Sequence, residues 1–444
     1  MKFFRIVTFA FCSTLTLTSC NELLGDSDNP SGSSTKPSTS DNSEIIEFKD
    51  SYLEGLLVQY FDKNLDYKLS KAEAAAVVDI QKLLSENEYI TSFDELQYFT
   101  RLKHIGYKAF YRCKNLKSIT IPGSVETIYS GAFTDCSSLE KVTFLEGIQN
   151  IEESFYYVKS VTIPSSVKKL RQRPFGSKLE SVTVVASNTV YDSRENCNCI
   201  IETATNTIIK GSLNAFIPSG ITKIGRSAFE GIPITSIVIP ASVTSFDDGV
   251  FSSCLELKSV TLPSNIKSLS NSMFGGCEAL ASIELPTSLQ SIGAHTFDYC
   301  TALTSIEIPA GLTEIGEAAF YACENLTNMK IPGGVETIEN QTFYGCKNLK
   351  SVIFEEGFKT LMESSFSHCA NLESVEFPAS TTNIGDAFYD CPKLKSIILK
   401  ATTPPTLYSY NLGNVTIYVP AASVDTYKAT ERWNYLTIKS IDEL

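Results

Sequence analysis

Twelve phenylalanines, Phe110, Phe133, Phe155, Phe175, Phe229, Phe251, Phe274, Phe297, Phe320, Phe343, Phe366 and Phe388, recur along the chain, and most intervals are 22 or 23 residues. A fixed period in this range constrains the fold more than any other feature of the sequence. It excludes a single globular core across this stretch, because one such unit has too little apolar surface to bury by itself. Stacked units bury it continuously, each resting on its neighbours.

The period starting at Phe297 shows the internal pattern. Cys300, Leu303, Ile306, Ile308, Pro309, Leu312 and Ile315 follow before Phe320 restarts the cycle. Leu303–Ile308 alternates apolar and polar residues, which predicts a short strand with one buried face. Pro309 lacks an N–H and ends it. Ile315-Gly316 predicts a turn before the next anchor. The predicted fold is an α/β-type solenoid, an arc of short parallel strands over residues 100–400. The long interval from Phe175 to Phe229 predicts an insertion at about 185–215.

Cysteine follows the same period. Of 13 Cys, nine (113, 136, 254, 277, 300, 323, 346, 369 and 391) stand three residues after an anchor, where Val158 and Ile232 stand in other units. The position therefore calls for a small apolar side chain, and Cys serves as one. A regular disulfide ladder is not expected, since nine thiols cannot all pair. Cys197 and Cys199 are too close in sequence for an easy mutual bridge.

The ends are different. Lys2 and Arg5 precede an apolar stretch too short to span a bilayer, which predicts a signal peptide over residues 1–19. It closes on Leu17-Thr18-Ser19-Cys20, which resembles the lipobox of bacterial lipoproteins and implies lipidation at Cys20. Residues 20–48, rich in Asp, Asn, Ser, Gly, Pro and Thr, predict a lipidated, disordered tether. The expected location is the outer membrane, exposed at the cell surface, with lipid as the only membrane contact.

Residues 49–99 predict a helical N-terminal cap. Leu53, Leu56, Leu57, Tyr60 and Phe61 share one helix face. Asp62, Asn64, Asp66, Lys68 (by its carbonyl), Ser70 and Glu73 then fall at the ligand positions of an EF-hand calcium loop. Tyr67 occupies the position where that loop needs glycine for a positive φ. Ser70 and Glu73 also form a capping box that starts a second helix without metal. The expectation is a cap with weak calcium binding or none, and no other cofactor.

The units Phe297–Pro309 and Phe320–Pro332 resemble the BspA-like leucine-rich repeats of bacterial surface proteins. Tyr191–Thr207 resembles the hairpin insertion of that family. Residues 401–444, with Thr403-Pro404-Pro405, Ile417–Pro420, Tyr427 and Trp433, resemble its C-terminal cap. The resemblance implies a surface-anchored protein that binds host matrix proteins or other bacterial surface proteins.

Charge and composition narrow the function. A formal net charge of −13, from 37 Lys and Arg against 50 Asp and Glu, argues against nucleic acid. His104, His295 and His368 lie in different repeats and match no catalytic motif, so an enzyme is not expected. Exposed positions of a repeat vary for recognition, and one outward strand column changes from Thr to Glu284, Glu307, Lys330, Ile353 and Glu376. These five predict the partner-binding face. The alternative is a carbohydrate-binding accessory of a nutrient-capture system. Sugar rings pack on exposed aromatic faces, and the two strand columns over the repeats hold none. Aromatic residues expected on loops, such as Tyr408, Tyr410 and Tyr418, supply them instead.

Overall fold

Each turn of the repeat has three sides, and each side follows from a short run of the sequence. The first side is a strand of up to four residues. Ser118–Ile121, Lys141–Phe144, Ser160–Ile163 and Ser181–Val184 pair in parallel, with alternate residues buried. The second is a strand of only two residues, as in His104–Ile105, Thr127–Ile128, Asn150–Ile151 and Lys169–Leu170, which form a second parallel sheet. Ile315, expected to lead into a turn, is the buried residue of such a strand, Glu314–Ile315. One polar and one apolar residue suffice for it, which is too short a run for periodicity to reveal.

The third side is a turn carrying the anchor phenylalanine. No α-helix occurs among the described residues between Ala76 and Val424. Here turns are joined by N–H donors to the next turn, such as Phe320 N to Thr342 O at 2.9 Å. The anchor rings stack face to face along the solenoid: Phe274–Phe297 at 5.6 Å, Phe297–Phe320 at 5.4 Å, Phe320–Phe343 at 5.3 Å.

The cysteines do more than fill space. The Cys323 thiol donates to the Phe297 carbonyl at 3.1 Å, and Cys346 to Phe320 at 3.2 Å. The same bond recurs in the other turns whose position three after the anchor is Cys. The expectation of a merely apolar position is corrected: Cys is small and also a donor, giving a buried carbonyl a second partner. All described cysteines are free thiols.

This computed structural model describes residues 44–80, 83–171, 173–408, 412 and 414–444. The expected signal peptide, Cys20 and most of the tether lie outside them, as does Tyr410. The tether was expected to run to residue 48, yet Ile46 is buried and its N–H bonds Leu69 O at 3.0 Å. The folded unit therefore takes in the last residues of that stretch. Asp50 caps helix α1 (Ser51–Phe61), accepting from the N–H groups of Tyr52 and Leu53. Helix α2 (Lys71–Ala76) is short and starts at the Ser70–Glu73 capping box. Stacking begins before residue 100: Ser92–Phe93 pairs with Ser118–Ile119, and Leu84 stands where later turns have phenylalanine, its carbonyl accepting from Cys113. Leucine at that place hides the first turn from a search on Phe.

At the other end, Thr416–Val419 and Thr437–Ser440 continue the main sheet through the cap. Helix α3 (Val424–Ala429) brings Tyr427 to bond Ala401 O, while Trp433 bonds Pro405 O, each at 2.9 Å.

The insertion is a hairpin. Cys199–Glu202 runs antiparallel between Tyr191–Asp192 and Thr207–Gly211, and the last strand then pairs in parallel with Lys223–Ile224. Its second strand thus starts the second sheet of the following turns. It also separates two apolar cores. Ile200 faces the first core, while Cys197, Cys199 and Ile201 face the second. Gly211 lies against the Phe229 ring, and a Cβ there would fall 2.2 Å from a ring carbon.

Candidate interaction surface

The five residues expected to form the binding face are divided by the structure. Lys330, Ile353 and Glu376 lie side by side on adjacent strands, and the row continues through Ile398, Tyr418 and Lys439. Tyr418, expected on a loop, is a strand residue in this row. Ile353 is 43% exposed. Lys330 Nζ sits 2.6 Å from Glu355, and Lys400 Nζ sits 2.5 Å from Glu376, so these two charges are neutralised within the protein.

Glu284 and Glu307 differ from the other three. Both are exposed, and neither forms an ion pair among the described residues. Their segments, 282–285 and 305–308, lie outside the paired strands between Ser259–Thr261 and Asn328–Ile331. The second sheet stays paired through the same turns, Ser268–Leu269 to Ser291–Ile292 to Glu314–Ile315. The expected strand register therefore fails for Glu284 and Glu307. Like charges directly opposite each other destabilise a ladder, and a continuous ladder would set these two opposite. A groove of about 490 Å³ opens beside Glu307, with Lys330, Ile353 and Glu355 in its lining.

A second surface was not foreseen. On the anchor side, Tyr299, Tyr321, Tyr344, His368 and Tyr389 form a ladder of rings on five consecutive turns. Successive centroids lie 5.5, 4.9, 4.9 and 5.4 Å apart, and Tyr321 and Tyr344 are parallel within 1°. Tyr299 is 51% exposed and Tyr389 68%. His368 Nδ1 lies 2.8 Å from Asp390 Oδ2, which holds the imidazole in the row. Stacking fixes these side chains before any partner arrives, so little entropy is lost on contact, and Tyr offers both apolar surface and a polar tip. The signal was present in the sequence: an aromatic one or two residues after five successive anchors.

The acidic loop is organised by its own backbone. Asp62 accepts from the N–H groups of Leu65 and Tyr67 at 2.7 and 2.8 Å, and Asp66 from Lys68 at 2.9 Å. Tyr67 does adopt the left-handed conformation, with φ 63°. Glu73 Oε2 accepts from the Ser70 N–H and hydroxyl, and Oε1 from the Lys63 N–H. Burial raises the Glu73 pKa, and these donors outweigh it, so the net shift is downward. As arranged, both Glu73 oxygens face protein donors, Oε2 at the helix cap and Oε1 on the loop N–H groups of Lys63 and Asn64.

Among the described residues no helix is long and apolar enough to cross a membrane. The family described as BspA type Leucine rich repeat region matches in six copies, over residues 87–203, 210–326 and 313–417. No curated protein matches the chain in sequence. Among solved structures, a leucine-rich repeat protein of Bacteroides ovatus is similar at 23% identity, covering 77% of this chain and 88% of its own, with a TM-score of 0.41. A leucine rich cell surface protein of Faecalibacterium prausnitzii is similar at 24% identity, covering 60% and 77%, with a TM-score of 0.43.

Proposed function

The chain belongs to the BspA-type leucine-rich repeat family, and on that premise we propose that it is a cell-surface lipoprotein that binds a protein partner without catalysis. The observation that carries this reading is a pair of surfaces on neighbouring turns, which share the turn holding both Tyr299 and Glu307. The ring ladder from Tyr299 to Tyr389 supplies rigid contact area, and Glu284 and Glu307 supply unneutralised charge. The partner's matching patch is basic, on a host matrix protein or another bacterial surface protein. Anchoring is through lipid on Cys20 in the outer membrane. The ladder also gives the carbohydrate reading an observation of its own, since its end rings, Tyr299 and Tyr389, are exposed. Its inner ring faces cover one another, which favours a protein surface over stacked sugars.

Two experiments test this reading. Cys20→Ala should move the protein from the membrane fraction to the soluble one; retention of a lipidated form would refute the anchor. For the binding face, the partner is first captured from matrix and bacterial surface extracts. Affinity should then fall at least tenfold in Glu284→Lys/Glu307→Lys, with a flatter salt dependence, while Glu376→Gln, already paired with Lys400, changes little. Equal losses in both variants would move the site elsewhere.

A further inference from the structure

Lys210 stands on the hairpin strand Thr207–Gly211, where the two cores meet, and only 3% of its surface is exposed. Its ammonium makes no hydrogen bond and no ion pair among the described residues. A buried charge without a partner is costly. Burial pushes the Lys210 pKa down to about 8, with Glu230 acting in the opposite direction. The amine is thus still mostly protonated at neutral pH.

It lines a pocket of about 180 Å³ together with Tyr156, Arg173, Ser227 and Glu230. Arg173 Nη2 lies 2.6 Å from Glu230 Oε2 and donates to Ser227 Oγ at 3.3 Å. Among the lining residues Arg173 and Glu230 cancel, which leaves the single positive charge of Lys210. One charge matches a monoanion better than a dianionic phosphate. The volume holds one oxyanion group of a larger molecule, not the whole of it. Ser177, Ser227 and Ser253 add hydroxyls to the lining, and Tyr156 presents a ring that is 37% exposed. Burial and Glu153 push the Tyr156 hydroxyl up to about 12, so it remains a donor. We propose that this pocket binds the acidic group of an anionic sugar, a carboxylate or a sulfate ester, with Lys210 and Ser227 holding the oxyanion and Tyr156 packing on the sugar ring. This site is separate from the protein-binding surface above and does not rest on it.

The test uses the full chain with D-glucuronate, glucose 6-sulfate, neutral glucose and an N-acetylated dipeptide with a free carboxylate. Pulse acetylation near pH 8, read by mass spectrometry, should modify Lys210 in the free protein. Saturating glucuronate or glucose 6-sulfate should protect it at least fivefold, and glucose should not. Saturation-transfer NMR of the protecting sugar should lose its signal at least tenfold in Lys210→Met. Protection by one acidic sugar alone assigns the group as carboxylate or sulfate. Protection by neither, by glucose equally, or by the dipeptide instead overturns the proposal. Should Lys210→Met fail to fold, the acetylation result on the unmodified protein decides.

Discussion

The residue three after each anchor shows how far a single position can be read. Its period and small size were legible, because nine cysteines stand at one offset. The hydrogen bond was not, because its acceptor lies about 26 residues earlier, in the preceding turn. Val158 and Ile232 made the position look purely apolar. The thiol is an added donor to a carbonyl that also accepts a backbone N–H, as Phe320 O does from Cys323 N. Losing it in Cys323→Ala should therefore cost about 1–2 kcal/mol, a modest hydrogen bond plus a small cavity, measured by urea unfolding. Burial also pushes most of these thiols up, Cys254 to about 12 and Cys391 to about 11, while the hydrogen bond with Cys136 turns Cys113 the other way. Because the thiolate is the nucleophile, iodoacetamide at pH 8 should mark the partly exposed Cys391 first and leave the other described thiols until the chain unfolds. Rapid labelling of Cys323 in the native protein would contradict the buried ladder.

At the scale of elements, the long interval between Phe175 and Phe229 exposed the hairpin, and its strands lie within the expected 185–215. Its role as a wall between cores was not read, although a trace of it was there. Cys199-Ile200-Ile201 is a continuous apolar run, the pattern of a strand covered on both faces. Side-chain alternation then sends Ile200 one way and Cys199 and Ile201 the other. The two-residue strands of the second sheet escaped for the opposite reason, since two residues cannot establish a period. Gly211 is where the wall meets the next anchor. With a Cβ 2.2 Å from a Phe229 ring carbon, Gly211→Ala should overpack the joint and cost about 1–3 kcal/mol. Gly55→Ala in α1, where nothing lies within 4 Å, should instead stabilise by up to about 1 kcal/mol. Thermal melts of the two variants moving in the same direction would show that the contact at Gly211 is relaxed elsewhere.

At the scale of the whole molecule, the hairpin makes the solenoid two blocks. The anchor stack runs from Phe110 to Phe175 and again from Phe229 to Phe388. Between them the Phe229 ring meets Gly211 instead of another ring. In a repeat protein, cooperativity passes through nearest-neighbour interfaces, so it should be weakest at this joint. Phe297 sits inside the second stack, between Phe274 and Phe320. Phe297→Ala should cost about 3–5 kcal/mol as a large-to-small core change. Its effect should spread along the unbroken stack on both sides and stop at the hairpin. Hydrogen exchange followed by mass spectrometry reads this directly: amides from about Phe229 to Trp433 should lose protection in the variant, while those of Ser118–Val184 keep theirs. Urea unfolding of the parent should correspondingly show two transitions, with only one shifted by the substitution. A single transition, with protection lost evenly from Ser92 to Ser440, would mean that strand Cys199–Glu202, packed by both cores, couples the blocks instead of dividing them.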